Sequence, residues 1–208
     1  MKITLINASP EKRGSFSNYI LNELMPLVKT ETDPEILSMS LWDDDFFNDL
    51  CSSDALVFAL PLYVDSLPAS FLRFLMHFEE RLKNSPADIC VYGIVNAGFL
   101  EGHQNRYALE ILSHFCHRAN LTWGGGLGIG GGPFLHGMAN VSWKFSAKRP
   151  VYEGLVQLSD VIKNGQALEK DLLITPKIPR KIYMAAANHH WITEAKKNGL
   201  KKKELYKK

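Results

Sequence analysis

The sequence predicts an α/β fold: a parallel sheet with helices packed on both faces. Three observations carry this. Short, wholly apolar runs recur along the chain, as expected of strands buried on both sides. Segments with apolar residues at helical spacing separate them, so strand and helix alternate five times over. Parallel neighbours need crossover helices, and right-handed crossovers leave few ways to wind such a sheet.

The elements follow in order. Residues 3–6 (ITLI) form the first strand. Ile20, Leu21, Leu24, Leu27 and Val28 then recur at helical spacing, and Pro34 ends that region. EILSMS (35–40) is a weak second strand, and DALVFALPLY (54–63) a strong third stopped by Pro61. Pro68 heads a helix running to about Lys83, with Phe71, Leu72, Leu75, Phe78 and Leu82 on one face. ADICVYGIVNAG (87–98) is the fourth strand, and a helix from about Gln104 to Asn120 follows it. LTWGGGLGIGGG (121–132) starts as a strand and dissolves into glycines, and residues 149–164 read as a further helix. The expected organisation is a main domain over residues 1–170 and an extension over 171–208, packed on the domain or on a partner subunit and ending in a basic tail.

A chain of 208 residues, 46% apolar and 22% charged, suits one soluble domain with a sizeable core. Its net charge of +2 is uneven. Residues 194–208 hold seven lysines against Glu194 and Glu204, a balance of +5, which leaves the rest at −3. A mildly acidic body with a solvated basic tail excludes nucleic acid as the expected partner. No apolar run approaches membrane-spanning length, so no membrane insertion is expected. Cys51, Cys90 and Cys116 are odd in number and far apart, and the N-terminal MKITLI lacks a cleavage pattern. Both point to a reducing, cytoplasmic setting.

In an open parallel sheet the ligand lies at the carboxyl ends of the strands, where the winding reverses. The informative loops are therefore residues 7–17, 61–67 and 96–103. In the first, Ser9, Ser15, Ser17 and Asn18 bring hydroxyl and amide donors to a helix N-terminus, and Gly14 lets the backbone come close. That chemistry suits a phosphate, with Lys12 and Arg13 nearby. No Walker pattern is present. A G-x-G-x-x-G match at Gly126, Gly128 and Gly131 is followed by Pro133 with no helix opening at once, so it is set aside as a flexible or closely packed loop. The second loop offers Pro61 and Tyr63 at the mouth of the crevice. The third offers Asn96 and Gly98, whose backbone groups suit the edge of a flat heterocycle. His114, Cys116, His117, His189, His190 and the acidic turn Asp43–Asp45 read as core or surface residues, and no metal site is expected.

With ITLINASPEKRGSFSN, DALVFALPLYVDSLPASFLRFL, VYGIVNAGFLEGHQNRYALEIL and GGLGIGGG, which together span residues 3–132, the chain resembles the flavodoxin-like NAD(P)H-dependent FMN reductase and quinone reductase superfamily. The resemblance implies a three-layer sandwich around a five-stranded parallel sheet of order 2-1-3-4-5, with a C-terminal helical extension. It implies FMN as cofactor and NADH or NADPH as electron donor. A small acceptor such as a quinone or free flavin would be reduced in a ping-pong cycle, and the protein would be a homodimer. It assigns the phosphate to Ser9, Ser15, Ser17 and Asn18. It assigns the ring to Pro61, Leu62, Tyr63 and Val64 and to Asn96, Ala97, Gly98 and Phe99. Tyr63 and Glu101 are the candidates for contact with reactants. Glu11 stands where many relatives carry Arg, and LWDDDFFNDLC holds one cysteine where some relatives bind an iron–sulfur cluster. A flavin-binding electron carrier without turnover, and an interaction module that has lost the flavin, are the alternatives.

Overall fold

A computed structural model of the chain describes residues 1–11, 14–31, 33–39, 42–144 and 146–205. Lys12 and Arg13 lie outside the described residues.

Among the described residues, six parallel strands form one sheet: β1 (Ile3–Asn7), β2 (Glu35–Ser38), β3 (Ala55–Pro61), β4 (Cys90–Asn96), β5 (Thr122–Ile129) and β6 (Leu172–Ile174), in the order β2-β1-β3-β4-β5-β6. Five of them keep the expected order. The winding reverses between β1 and β3, which pair in register from Ile3–Ala55 to Asn7–Ala59.

Alternation along each strand splits the core in two. Leu5, Val57, Ala59, Ile94 and Leu127 face a layer made by α1 (Phe16–Leu24) and α6 (Arg149–Lys163). Ile6, Leu56, Phe58, Leu60 and Val95 face α2 (Asp44–Cys51), α3 (Ala69–Asn84) and α4 (Arg106–Arg118). Because both faces are covered, every residue of β1 is buried, and hydrophobic transfer favours apolar runs over alternation.

Four features differ from the sequence expectation. Asp43 caps a helix instead of standing in a bare acidic turn. Its carboxylate accepts from Phe46 N–H at 2.9 Å, and Asp44 and Asp45 occupy the first turn of α2, where the helix dipole favours anions. The glycines of residues 124–130 are strand rather than loop up to Ile129. A Cβ at Gly124 would run into the Tyr92 ring, one at Gly126 into Leu109, and one at Gly130 into the Leu100 carbonyl. A short helix, α5 (Gly132–Gly137), opens directly after Gly131, which turns the chain at φ 68°.

The fourth difference is β6, a sixth strand drawn from the residues beyond 170. The steps from β3 to β4 and from β5 to β6 run in the same direction across the sheet, yet α3 and α6 lie on opposite faces. The β5–α6–β6 connection therefore has the opposite hand to the others, the rare left-handed case. Its edge is secured by Asp171, whose carboxylate accepts from Gly126 N–H at 2.8 Å. Parallel to β5, β6 delivers the chain to the carboxyl edge of the sheet, and α7 (Arg180–Lys197) starts there.

Candidate functional site

The three loops marked by the sequence emerge at this carboxyl edge, and one side chain binds them together. Asn96, at the end of β4 and 6% exposed, donates its amide to Ser17 Oγ at 3.0 Å and to the Leu60 carbonyl at 2.9 Å. Its backbone carbonyl accepts from Leu62 N–H at 2.8 Å. The first, second and third loops are thus joined through a single residue.

In the first loop each serine oxygen already accepts a bond. Ser9 Oγ accepts from Glu11 N–H at 3.2 Å, Ser15 Oγ from Asn18 N–H at 3.1 Å, and Ser17 Oγ from Asn96. A hydroxyl used this way keeps its proton to donate, so all three are suited to an anion. Ser15 is the N-cap of α1, and Asn18 lies in the first turn, half-buried. Ser15 and Ser17 are buried and Ser9 partly so. Gly14, at φ 79°, adopts the left-handed backbone that a side chain would resist, and a Cβ there would meet nothing within 4 Å.

In the second loop Pro61 and Leu62 are half-buried, while Tyr63 is 48% and Val64 98% exposed. Tyr63 and Ser66 exchange both backbone hydrogen bonds at 3.0 Å, closing a two-residue hairpin turn whose centre, Val64 and Asp65, has φ of 50° and 56°. Positive φ at both central positions defines the type I′ turn, and a β-branched valine there is strained.

In the third loop Ala97 is buried; its N–H donates to the Ile129 carbonyl and its own carbonyl accepts from Gly132 N–H, both at 2.9 Å. Gly98 and Phe99 are exposed, and a Cβ on Gly98 would touch nothing within 4 Å, which leaves the main chain open to a flat ligand. Glu101 pairs with Arg180 of α7 at 3.1 Å. The Tyr183 hydroxyl donates to the Gly98 carbonyl, and burial, then the nearby Glu101 charge, pushes its pKa above the usual tyrosine value. Sequence reasoning missed Tyr183 and Arg180 because they lie in a segment read as an appendage, about eighty residues from their partners Gly98 and Glu101.

A cleft of about 500 Å³ adjoins Gly98 between α5 and α7. A larger depression of about 850 Å³, near Lys144, Arg149 and Lys177, is lined by none of the residues singled out from sequence. Behind the first loop, Lys148 is fully buried. Its Nζ donates to the Met138 carbonyl at 2.9 Å and to the Tyr19 hydroxyl at 3.2 Å, and lies 4.3 Å from the Trp143 ring centre. Burial lowers its pKa.

No family model matches the chain, and no curated protein matches it. Solved structures do. An NADPH-quinone reductase from P. pentosaceus superposes with a TM-score of 0.59 at 13% identity, covering 76% of this chain and 98% of its own. An NADH:FMN oxidoreductase in its apo form gives 0.58 at 16% identity, covering 81% and 91%. The Megasphaera elsdenii flavodoxin gives 0.53 at 13% identity, covering 78% and 98%. The chain has a flavodoxin-like fold. At these identities the likeness speaks for the fold alone. Within the flavodoxin-like fold of this chain, Asn96 and its partners sit beside the β1/β3 switch point, where ligands of open α/β sheets lie.

Proposed function

We propose that the chain binds FMN at this edge and passes electrons from NADH or NADPH to a small acceptor such as a quinone or free flavin, donor and acceptor occupying the crevice in turn. The observation that carries the reading is the junction at Asn96. It ties a donor-rich helix N-terminus to two exposed loops at the same sheet edge, the arrangement that a phosphate joined to a planar ring requires.

The residues present fit that cofactor. Ser9, Ser15, Ser17 and Asn18 would hold its phosphate through three hydroxyl protons and the first amides of α1. Pro61, Leu62, Tyr63 and Val64 would take one side of the ring, and Asn96, Ala97, Gly98 and Phe99 the other. When bound, FMN supplies reversible electron storage. The chain's own residues position and shield: Tyr63 walls the crevice, and Glu101, neutralised by Arg180, keeps a free carboxylate from the ring loop.

A second copy is the simplest cover for the outward apolar side chains of α7, since Ile182 and Met184 are 56% and 49% exposed and no residue of the helix is buried. Light scattering that gives a monomer mass removes this part of the reading.

The testing experiment is an absorbance spectrum of the purified chain with FMN, then NADH and NADPH oxidation against quinone and free-flavin acceptors. Flavin bands with steady turnover support the enzyme. Flavin bands without turnover leave an electron carrier, and no flavin uptake refutes both.

A further inference from the structure

We propose that the cleft between α5 and α7 is where the ring of an uncharged, flat aromatic acceptor docks, and that Phe134, Tyr183 and Trp191 decide which acceptors the protein takes. This rests on the reading that FMN places its ring against Gly98.

The cleft touches Gly98 at one end, so a ligand in it would abut the proposed ring position. Its volume of about 500 Å³ falls within the range of small-molecule sites and suits one or two fused rings with substituents. Phe134, Met138, Tyr183 and Trp191 give it apolar and aromatic walls, and His190 brings the one ionisable imidazole. Among the described residues, no Lys, Arg, Asp or Glu lines it. A phosphate or carboxylate would find no counter-charge there, whereas a neutral ring would gain stacking and burial.

The wall formed by α7 is fixed at its start. Arg180 pairs with Glu101, Tyr183 donates to the Gly98 carbonyl, and the Tyr183 and Phe134 rings meet at 5.8 Å between centroids. Of these attaching residues, Tyr183 and Phe134 also line the cleft. The helix buries no residue over 18 positions, and Trp191 remains 70% exposed at the cleft margin. A helix that served only to close a core would bury an apolar stripe. This one stands as a wall with an open inner surface.

The test uses the full chain and a naphthoquinone, 2-methyl-1,4-naphthoquinone, with ferricyanide as a small hydrophilic comparison. In the flavin-free chain the naphthoquinone is expected to quench tryptophan fluorescence saturably. Trp191→Phe is expected to remove most of that signal, and Ala187→Trp, which fills the cleft, to weaken the apparent affinity at least tenfold. In the FMN-loaded chain, Ala187→Trp is expected to lower the ratio of naphthoquinone to ferricyanide kcat/KM at least tenfold, with the FMN Kd held within twofold. Saturable quenching untouched by Ala187→Trp overturns the proposal. So does an FMN Kd that rises in step with naphthoquinone affinity loss, or a quench that appears only as the chain dimerises. A chain that binds the naphthoquinone in this cleft but takes up no FMN refutes the oxidoreductase reading and leaves the cleft assignment standing.

Discussion

The Asn96 side-chain amide and the Ser17 hydroxyl, 79 residues apart in sequence, meet at 3.0 Å inside the sheet edge. With the bond to the Leu60 carbonyl, both amide protons are used, so this side chain ties the first loop to the ends of β3 and β4. Asn96→Leu leaves buried acceptors without a donor and is expected to cost about 1–3 kcal/mol of stability by chemical denaturation. The backbone bond from Leu62 N–H survives the change, so the two ring loops stay joined and FMN affinity falls chiefly through the phosphate loop. FMN affinity unchanged in a folded Asn96→Leu variant contradicts this.

Ser15 separates a structural role from a binding role. Its Oγ caps α1 by accepting from Asn18 N–H. Ser15→Ala is expected to lose about 1 kcal/mol of stability. Ser15→Asp restores a capping acceptor and suits the helix dipole, so stability returns, but it sets a carboxylate where the phosphate belongs. Thermal melts and flavin titrations of the two variants are expected to diverge: Ser15→Asp stable and flavin-poor, Ser15→Ala less stable and retaining more affinity.

Lys148 gives a pH signature. Burial, the larger cause, lowers its pKa from the ordinary 10.5, while the Glu23 charge acts in the other direction. Below the lowered folded value the ammonium is charged in both states and the burial cost is fully present. As pH climbs from there to 10.5, the folded chain gives up its proton before the unfolded chain does, so stability rises. The stability of the native chain minus that of Lys148→Met is therefore expected to increase with pH in the alkaline interval below 10.5, by at most about 1.4 kcal/mol per pH unit. A flat or falling difference in denaturation at stepped pH contradicts it.

Val64 holds φ 50° with its side chain 98% exposed, so nothing packs against it to offset the strain. Val64→Asn, a residue that tolerates the left-handed region, is expected to raise stability by about 0.5–1 kcal/mol. A lower melting temperature for Val64→Asn sinks this reading of the turn.

Much of this was legible in the sequence, for physical reasons. The runs in β1, β3 and β4 are largely apolar on both faces because both faces are covered, and that points to a parallel sheet. The place of the serine loop at the head of α1 was legible because Ser15 and Gly14 sit just before an apolar-periodic run, the local signal of a helix start. The three-residue β6 was not, being too short to carry a pattern and reached by a connection of uncommon hand. Gly124, Gly126 and Gly130 read as loop because the reason for them, the approach of Tyr92, Leu109 and the Leu100 carbonyl, is tertiary. The same holds for α7, whose attachment depends on Tyr183 and Arg180 finding Gly98 and Glu101 across the fold.

The most direct test is calorimetric titration of the flavin-free chain with FMN and, separately, with riboflavin, which has the same ring and no phosphate. If three serine hydroxyls and the head of α1 grip the phosphate, FMN binds one to one and riboflavin at least tenfold more weakly. Equal affinity for the two, or no heat with either, contradicts the account.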